Sequence, residues 1–145
     1  MVDNFIPLFK IDSQEEIEKK LDAAEEYIDE ARRVIRARGT GDYNRCQGAA
    51  PGVVTTVAYS AYAHGRSTKP FLVTDACISC GLCQEICPCG AIALTDGKPA
   101  WVKPQCVRCL GCIHRCPTKA IHWKRADEDR GRYYNPRVEP YRPLT

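Results

Sequence analysis

The chain has 145 residues, a formal net charge of +3 and ten cysteines, which is enough sequence for one small domain with an unusual number of thiols. Its longest apolar stretch, residues 49–63, is interrupted by proline, glycine, serine and threonine and is shorter than the roughly 20 residues that span a bilayer. Residues 1–10 lack the basic start and long apolar run of a secretory signal. We therefore expect a cytoplasmic protein without a membrane partner.

Residues 12–38 are predicted to form one long amphipathic helix. Apolar residues recur at intervals of four and three, which places them on one helical face. The members of this stripe are Ile17, Leu21, Ala24, Ile28, Ala31 and Ile35. Ser13 with Glu16 fits a capping box, and Gly39 suits the C-terminal end. The stripe packs either on its own domain or against another molecule, and a homodimer through residues 13–38 is one form of the second alternative.

The segments that flank the cysteine-rich region are less regular. Residues 53–63 follow Pro51 and fit either a second helix, which we favour, or a strand, because several of them are β-branched. Residues 125–145 are rich in proline and charge, which predicts an extended tail. The expected organisation is a helical N-terminal segment at 1–65, a cysteine-rich domain at 66–124 and the tail.

A four-cysteine run occurs twice, and the second copy begins 29 residues after the first. Both copies have the spacing Cys-x2-Cys-x2-Cys-x3-Cys-Pro, starting at Cys77 and at Cys106. The likeness continues beyond the runs, with Gly-Ala-Ile after the first and Lys-Ala-Ile after the second. Each half therefore predicts a strand, a cysteine loop, about one helical turn and a second strand, which makes an α+β domain.

This spacing indicates iron-sulfur clusters. Three thiolates separated by two residues each can surround three corners of a cubane, while the fourth points away from its own loop and completes the other cluster. The proline after each run turns the chain back towards the sheet. We therefore predict two [4Fe-4S] clusters. The first is ligated by Cys77, Cys80, Cys83 and Cys116. The second is ligated by Cys87, Cys106, Cys109 and Cys112.

Zinc and disulfides explain the spacing less well. Structural zinc sites draw two close ligands from each of two segments, and a third cysteine would crowd one tetrahedral ion. A disulfide framework conflicts with the expected compartment and with the tight spacing. Cys89 is interpreted as a packing residue, with a spare ligand as the alternative, and Cys46 as a free thiol. His64, His114 and His122 are not needed as ligands, because cysteines already fill every position.

Residues 71–123, with their duplicated cysteine-proline runs, resemble the bacterial-type 2[4Fe-4S] ferredoxins. This resemblance implies a pseudo-symmetric βαββαβ fold and low-potential one-electron transfer. Residues 1–6, the helix after them and residues 131–136 resemble the C-terminal part of flavodoxin-ferredoxin fusion proteins of anaerobes. In those proteins an equivalent segment closes a flavodoxin-like domain, so a separate flavodoxin-like protein is one expected partner. No phosphate-binding loop follows a first strand, so flavin binding is not predicted.

We expect an electron carrier rather than an enzyme, because every cluster position has a cysteine and no nucleophile with a base is apparent. Its partners are then donor and acceptor oxidoreductases. The alternative is an electron-input subunit of a larger oxidoreductase complex. Residues 39–145 carry a net charge of +6, but acidic residues interrupt the basic tail, and two clusters with their thiolates would take the whole chain from +3 to −1. No nucleic-acid partner is therefore expected.

Overall fold

A computed structural model of the chain describes residues 4–43, 50–124 and 129–138. The chain divides into two units. The first contains the described residues 12–43 and 50–64, and the second contains 4–11, 65–124 and 129–138. The expectation for Cys46 and those for residues 125–128 and 139–145 lie outside the described residues.

The first unit begins with helix α1, Gln14–Arg36. Ser13 is its N-cap, and the Ser13 hydroxyl accepts a hydrogen bond from the Glu16 amide at 3.3 Å. The Glu16 carboxylate in turn accepts from the Ser13 amide at 3.0 Å. The predicted capping box is therefore present, and it satisfies two amides that the first turn leaves without a helical partner.

Helix α1 ends at Arg36, two residues before the predicted end at residue 38. Ala37 is the C-cap, and Arg38, rather than Gly39, takes the left-handed conformation with φ 50°. The Arg38 amide donates to the Ile35 carbonyl and the Gly39 amide donates to the Val34 carbonyl, both at 3.0 Å. This pair of hydrogen bonds is the Schellman motif, with the glycine one position later than usual.

Exposed apolar side chains are common in the first unit. Ile17, near the start of α1, is 6% exposed, whereas Ile28 and Ile35 are 48% and 74% exposed. The second helix, α2, covers Pro51–His64, so this segment is a helix rather than a strand. No residue of this helix is buried, although most of its side chains are apolar or small. The unit therefore presents apolar side chains that its own helices leave uncovered.

The second unit has mixed helix and strand content, as expected of an α+β ferredoxin-like domain. Its elements, in chain order, are β1 (Phe71–Val73), α3 (Leu82–Glu85), β2 (Ile92–Thr95), β3 (Lys98–Trp101), α4 (Gly111–His114) and β4 (Ile121–Trp123). β1 pairs antiparallel with β4, and β2 pairs antiparallel with β3. Both sheets therefore join the two halves of the sequence repeat.

The core of this unit lies around three aromatic rings. The Phe71 ring stacks on Trp101 with centroids 4.8 Å apart and meets Trp123 edge-on at 4.9 Å. The buried members of the core are Ile6, Phe71, Ala91, Cys106, Leu110, Ile113, Ile121 and Trp123. Ile6 belongs to the N-terminal segment, residues 4–11, and is fully buried. This segment is therefore part of the unit that contains the cysteines.

The N-terminal segment is also tied to the C-terminal segment, residues 129–138. The Ile11 amide donates to the Arg130 carbonyl at 3.0 Å, and Arg130 Nη1 donates to the Ile6 carbonyl at 2.8 Å. Residues 129–138 contain no helix or strand. Within the described ranges of the chain, no helix is both long and apolar enough to cross a bilayer.

Candidate metal centres

The two cysteine loops repeat the same unusual backbone positions. Three residues in each loop have positive φ, and each lies 29 positions from its counterpart. The pairs are Ser79 (58°) with Arg108 (51°), Gly81 (76°) with Leu110 (58°), and Gly90 (53°) with Lys119 (55°). Left-handed residues placed among right-handed ones turn successive amides to one side of the chain and create a concavity that suits anions, including iron-sulfur sites. Each loop is therefore shaped to surround a negatively charged group.

One glycine and one leucine occupy the same position in the two loops. Gly81 precedes α3 and Leu110 precedes α4, and both act as left-handed N-caps. Leucine has a steric cost in this conformation that glycine avoids. Leu110 is only 2% exposed, so its burial in the core offsets this cost. Gly111 lies inside α4 and needs no special backbone freedom.

The first cavity, with about 340 Å³ of empty space that includes its opening to solvent, is lined by four cysteines. These are Cys77, Cys80, Cys83 and Cys116. Three come from the first run and the fourth from the second run. The other residues around it are apolar or uncharged, among them Ile78, Leu82, Leu94 and Ile121.

The second cavity, with about 350 Å³ of empty space that includes its opening to solvent, is lined by five cysteines. These are Cys87, Cys89, Cys106, Cys109 and Cys112. Three again come from one run, and Cys87 comes from the other. Cys89 thus lies beside the predicted ligands, a position that fits either of its two interpretations. Phe71, Trp101 and Arg108 also line this cavity.

Backbone amides point at several of the thiol sulfurs. The Ala91 amide donates to Cys87 Sγ and the Ala120 amide donates to Cys116 Sγ, each at 3.3 Å. These two bonds are equivalent in the repeat and fix the fourth cysteine of each run. The Arg108 amide donates to Cys106 Sγ at 3.4 Å. Hydrogen bonds of this kind stabilise a thiolate, which is the form that ligates iron.

Burial acts in the opposite direction on three of the thiols. It raises the pKa of Cys112 to about 12, with a further contribution from the neighbouring Cys109. Burial likewise raises the pKa of Cys83 and of Cys106. A buried thiolate is stable only beside a compensating positive charge, and the iron of a cluster supplies that charge.

The arrangement of the cysteines suits iron-sulfur clusters. Among the residues that the structure describes, no three His, Cys, Asp or Glu side chains are gathered closely enough to hold one ion. The cysteines instead lie around the walls of two cavities, as the corners of a cubane require. Each cavity thus has thiols around it and an amide that donates to one of their sulfurs, which are donor types that a cluster needs.

The comparisons with known proteins agree with this geometry. Residues 76–121 match the model of the 4Fe-4S dicluster domain family. Pyruvate synthase subunit PorD of Methanothermobacter marburgensis is 40% identical over 60 residues, which are 41% of this chain and 70% of that protein. The chain belongs to the 4Fe-4S dicluster ferredoxin family. The matched region of this ferredoxin is an electron-transfer domain, and its cofactors are two [4Fe-4S] clusters.

Other relatives of this ferredoxin match the same region. The ferredoxin-like protein in the nif region of Trichormus variabilis is 35% identical over 48 residues, which are 32% of this chain and 41% of that protein. A ferredoxin of Pyrobaculum islandicum is 42% identical over 48 residues, which are 32% of this chain and 45% of that protein. The chain thus covers about two fifths of the length of the first curated relatives that it matches. No solved structure gave a significant match.

Three other features of the site were not predicted from the sequence. His114 is buried, with its Nε2 2.8 Å from the Asn4 carbonyl and its Nδ1 accepting a hydrogen bond from the Tyr133 amide at 3.1 Å. The N-terminal segment packs on the core beside the second cavity through Ile6 and Phe5. Arg108 lines that cavity as well. The sequence repeat does distinguish Arg108, because the first run has Ser79 at the equivalent position.

Proposed function

We propose that this ferredoxin is a low-potential one-electron carrier with crossed ligand sets. Cys77, Cys80, Cys83 and Cys116 would hold the first cluster, and Cys87, Cys106, Cys109 and Cys112 the second. The observation that supports this assignment is that each cavity is lined by three cysteines of one run and the fourth cysteine of the other. When bound, each cluster supplies one-electron chemistry without a substrate site.

Two double variants test the crossed assignment. Cys77→Ala with Cys116→Ala removes two ligands from one proposed site, so about four iron and four sulfide per chain and one intact [4Fe-4S] signal should remain. Cys106→Ala with Cys116→Ala removes one ligand from each proposed site, so neither cluster should stay intact. Anaerobic reconstitution, metal analysis and EPR of the reduced proteins provide the measurement.

The same pair of variants separates the crossed assignment from an uncrossed one. If each run held its own cluster, the outcomes would be exchanged, with one intact cluster in the second variant and none in the first. Cys89→Ala is the matched control, because it removes the fifth thiol of the second cavity. Full iron content in this control supports the packing interpretation of Cys89, whereas loss of one cluster would contradict it and the ligand set given above.

We also propose that the chain has three regions: the helical segment 1–65, of which residues 4–11 pack in the second unit, a βαββαβ ferredoxin domain at 66–124 and the tail 125–145. The change of unit between residues 64 and 65 supports the first boundary. The order of elements from β1 to β4 is compatible with that fold. Limited proteolysis of the holoprotein tests the proposal, since cleavage should fall near residue 65 and spare 66–124. Preferred cleavage within 66–124 would contradict it.

A second proposal is that this ferredoxin is the electron-input subunit of a larger cytoplasmic oxidoreductase in an anaerobe. It is favoured by the likeness to one relative that is a subunit of pyruvate synthase. The exposed side chains of Ile28 and Ile35 and the uncovered helix α2 offer surfaces on which a catalytic partner, a flavodoxin-like protein or a second copy of the chain could pack.

Light scattering coupled to anaerobic size-exclusion chromatography distinguishes these partners. A homodimer through residues 13–38 predicts twice the mass of the chain and a return to monomer in Ile28→Glu with Ile35→Glu. A subunit role predicts a monomer when the protein is purified alone and a stable complex with an oxidoreductase when it is purified from its source. A monomer that co-purifies with no oxidoreductase would leave the free carrier as the better description.

A further inference from the structure

Arg108 occupies an unusual position at the wall of the second cavity. It lies in the second cysteine run, between Cys106 and Cys109, and is half-buried. Its guanidinium carbon is 4.5 Å from the centre of the Trp123 ring and 5.2 Å from the centre of the Phe5 ring. Contacts of a guanidinium with aromatic faces are favourable and become stronger where water is excluded.

The positive charge of Arg108 is not neutralised by a carboxylate of the described residues. Its Nη1 donates to the Gly65 carbonyl at 2.9 Å, and its Nε is buried without a hydrogen-bond partner in the described part of the chain. No ion pair of Arg108 with a described carboxylate is present. Among the described residues, the guanidinium of Arg108 therefore contacts one carbonyl and two aromatic rings. Arg108 also lines the second cavity.

The first cavity has no such charge among its described lining residues. The residue equivalent to Arg108 in the first run is Ser79, which has nearly the same backbone conformation and is exposed. None of the described residues that line the first cavity has a charged side chain. Lys98, on β3, is exposed and already paired with Asp75 at 2.8 Å. The sequence repeat therefore makes two loops of the same shape with different electrostatic surroundings.

A cation beside a cluster favours its reduced form. With its four thiolates a [4Fe-4S] cluster has a charge of about −2 when oxidised and −3 when reduced, and it gains one electron without a proton. A nearby positive charge is attracted more strongly to the reduced state, and the attraction is screened less in a low-dielectric setting than at an exposed surface. Burial of the site acts in the opposite direction, since it disfavours the more negative state.

We propose that Arg108 makes the two clusters unequal by holding the second cluster at a higher reduction potential than it would otherwise have, so that an electron is held more stably at the second site. Ser79 makes no such contribution at the first site. This inference rests on the proposed crossed ligand sets. Its consequence for function is that the charge of Arg108 biases internal transfer within one chain towards the second cavity.

The test compares Arg108→Gln with the unmodified ferredoxin by anaerobic voltammetry and by EPR-monitored redox titration. The glutamine keeps a polar side chain of similar length without the charge. The ratio of reduced to oxidised second cluster at a fixed potential should fall at least about tenfold, which is about 59 mV for a one-electron couple. The reduction potential of the first cluster should change much less. Unchanged potentials for both couples, with full iron and sulfide, would overturn the proposal.

Two further variants make the result specific. Lys103→Gln removes an exposed cation that donates to the Cys89 carbonyl near the same cavity, and it should shift the second couple far less than Arg108→Gln does. Ser79→Arg places a cation at the equivalent position of the first loop, where the backbone already has the conformation of Arg108. Ser79→Arg should raise the reduction potential of the first cluster. It also tests the proposal if Arg108→Gln does not bind its clusters. A lowered or unchanged first couple in Ser79→Arg would count against the proposal.

To assign each reduction potential to its site, the effect of Arg108→Gln is measured again in two double variants that each lack one cluster. In Cys77→Ala with Cys116→Ala only the second site remains, so Arg108→Gln should shift its single couple. In Cys87→Ala with Cys106→Ala only the first site remains, and Arg108→Gln should leave that couple in place. Iron analysis of these backgrounds alone reports on the ligand sets, so failure of the crossed assignment is visible before any potential is measured.

Discussion

At the scale of single residues, the cluster loops depend on side chains that tolerate left-handed backbone. Gly81 provides this conformation at no steric cost in the first loop, whereas Leu110 provides it in the second only because its side chain is buried. The two loops therefore share a backbone conformation that glycine adopts without steric cost and that leucine adopts because burial offsets its cost. This difference between the loops leads to a prediction for the glycines.

Gly81→Ala is expected to destabilise the holoprotein by about 1 kcal/mol, because alanine is strained at a φ of 76°. Crowding is not the cause, since the new methyl group would lie 3.8 Å from the nearest side-chain atom of Leu94. Gly111→Ala is the matched control and should be neutral or slightly stabilising, as it lies within a helix. The stability of both variants is measured by following the loss of visible cluster absorbance as denaturant is added. Equal effects of the two substitutions would contradict this explanation.

The cysteines that line the two cavities could be identified from the sequence, because their spacing limits which chemistry they serve, whereas the two ligand sets stay a prediction. Leu110 as a left-handed residue was not predictable, since leucine rarely adopts that conformation and only its tertiary burial explains it. The surroundings of Arg108 were hidden for another reason. Phe5 is far away in the sequence, and no local pattern indicates that its ring meets this guanidinium.

At the scale of secondary structure elements, helix α1 is defined by its ends. The capping box of Ser13 and Glu16 starts it, and the Schellman hydrogen bonds near Arg38 close it. Hydrogen bonds from the side chain and the amide of Ser13 lower the pKa of Glu16 below its ordinary value of 4.5. The ionised carboxylate is therefore the form that supports the helix start.

Ser13→Ala should weaken α1 by about 1 kcal/mol, the usual effect of losing an N-cap. The unmodified protein should lose the Glu16 contribution as the pH falls from 4.5 through the lowered folded pKa, because the unfolded chain binds this proton first. Ser13→Ala should show a smaller loss in that range. Hydrogen exchange of residues 14–36 as a function of pH reports the difference. An identical pH dependence in the two proteins would rule out the capping box as its source.

The elements differed in how well the sequence indicated them. The position of α1 followed from its apolar period and its cap, but the helix ends at Arg36, two residues before the predicted end, with Arg38 rather than Gly39 in the left-handed conformation. Residues 53–63 were ambiguous, since β-branched side chains suit both helices and strands. The role of Ile6 in the core was not predicted, because a single isoleucine in a short irregular segment has no period to reveal its burial.

At the scale of the whole second unit, His114 joins three distant parts of the chain. Its ring lies between the Asn4 carbonyl and the Tyr133 amide, and it directly follows the core residue Ile113. Because Nδ1 accepts a hydrogen bond, the neutral ring with a proton on Nε2 fits both partners. Burial also lowers the pKa of His114, which favours this neutral form. The histidine thus holds the N-terminal and C-terminal segments on the domain that binds the clusters.

His114→Phe should therefore loosen both segments together. The carbonyl of Asn4 and the amide of Tyr133 each lose a hydrogen bond, for an expected cost of about 2 kcal/mol. Hydrogen exchange should become faster in residues 4–11 and 129–138, with smaller changes in β1 and β4. His64→Phe is the control, because His64 is exposed and its Nδ1 bonds within its own helix, to the Ser60 carbonyl. Exchange that stays slow in either segment would show that His114 does not hold it.

Electron transfer by this ferredoxin requires two complete cubanes in one chain. The most direct measurement is iron and acid-labile sulfide analysis of the anaerobically purified protein, together with EPR after reduction with dithionite. We predict about eight iron and eight sulfide per chain, with signals that are broadened by coupling between two reduced [4Fe-4S] clusters. About four of each would leave one cavity without its cluster, and zinc without sulfide would contradict the electron-transfer role altogether.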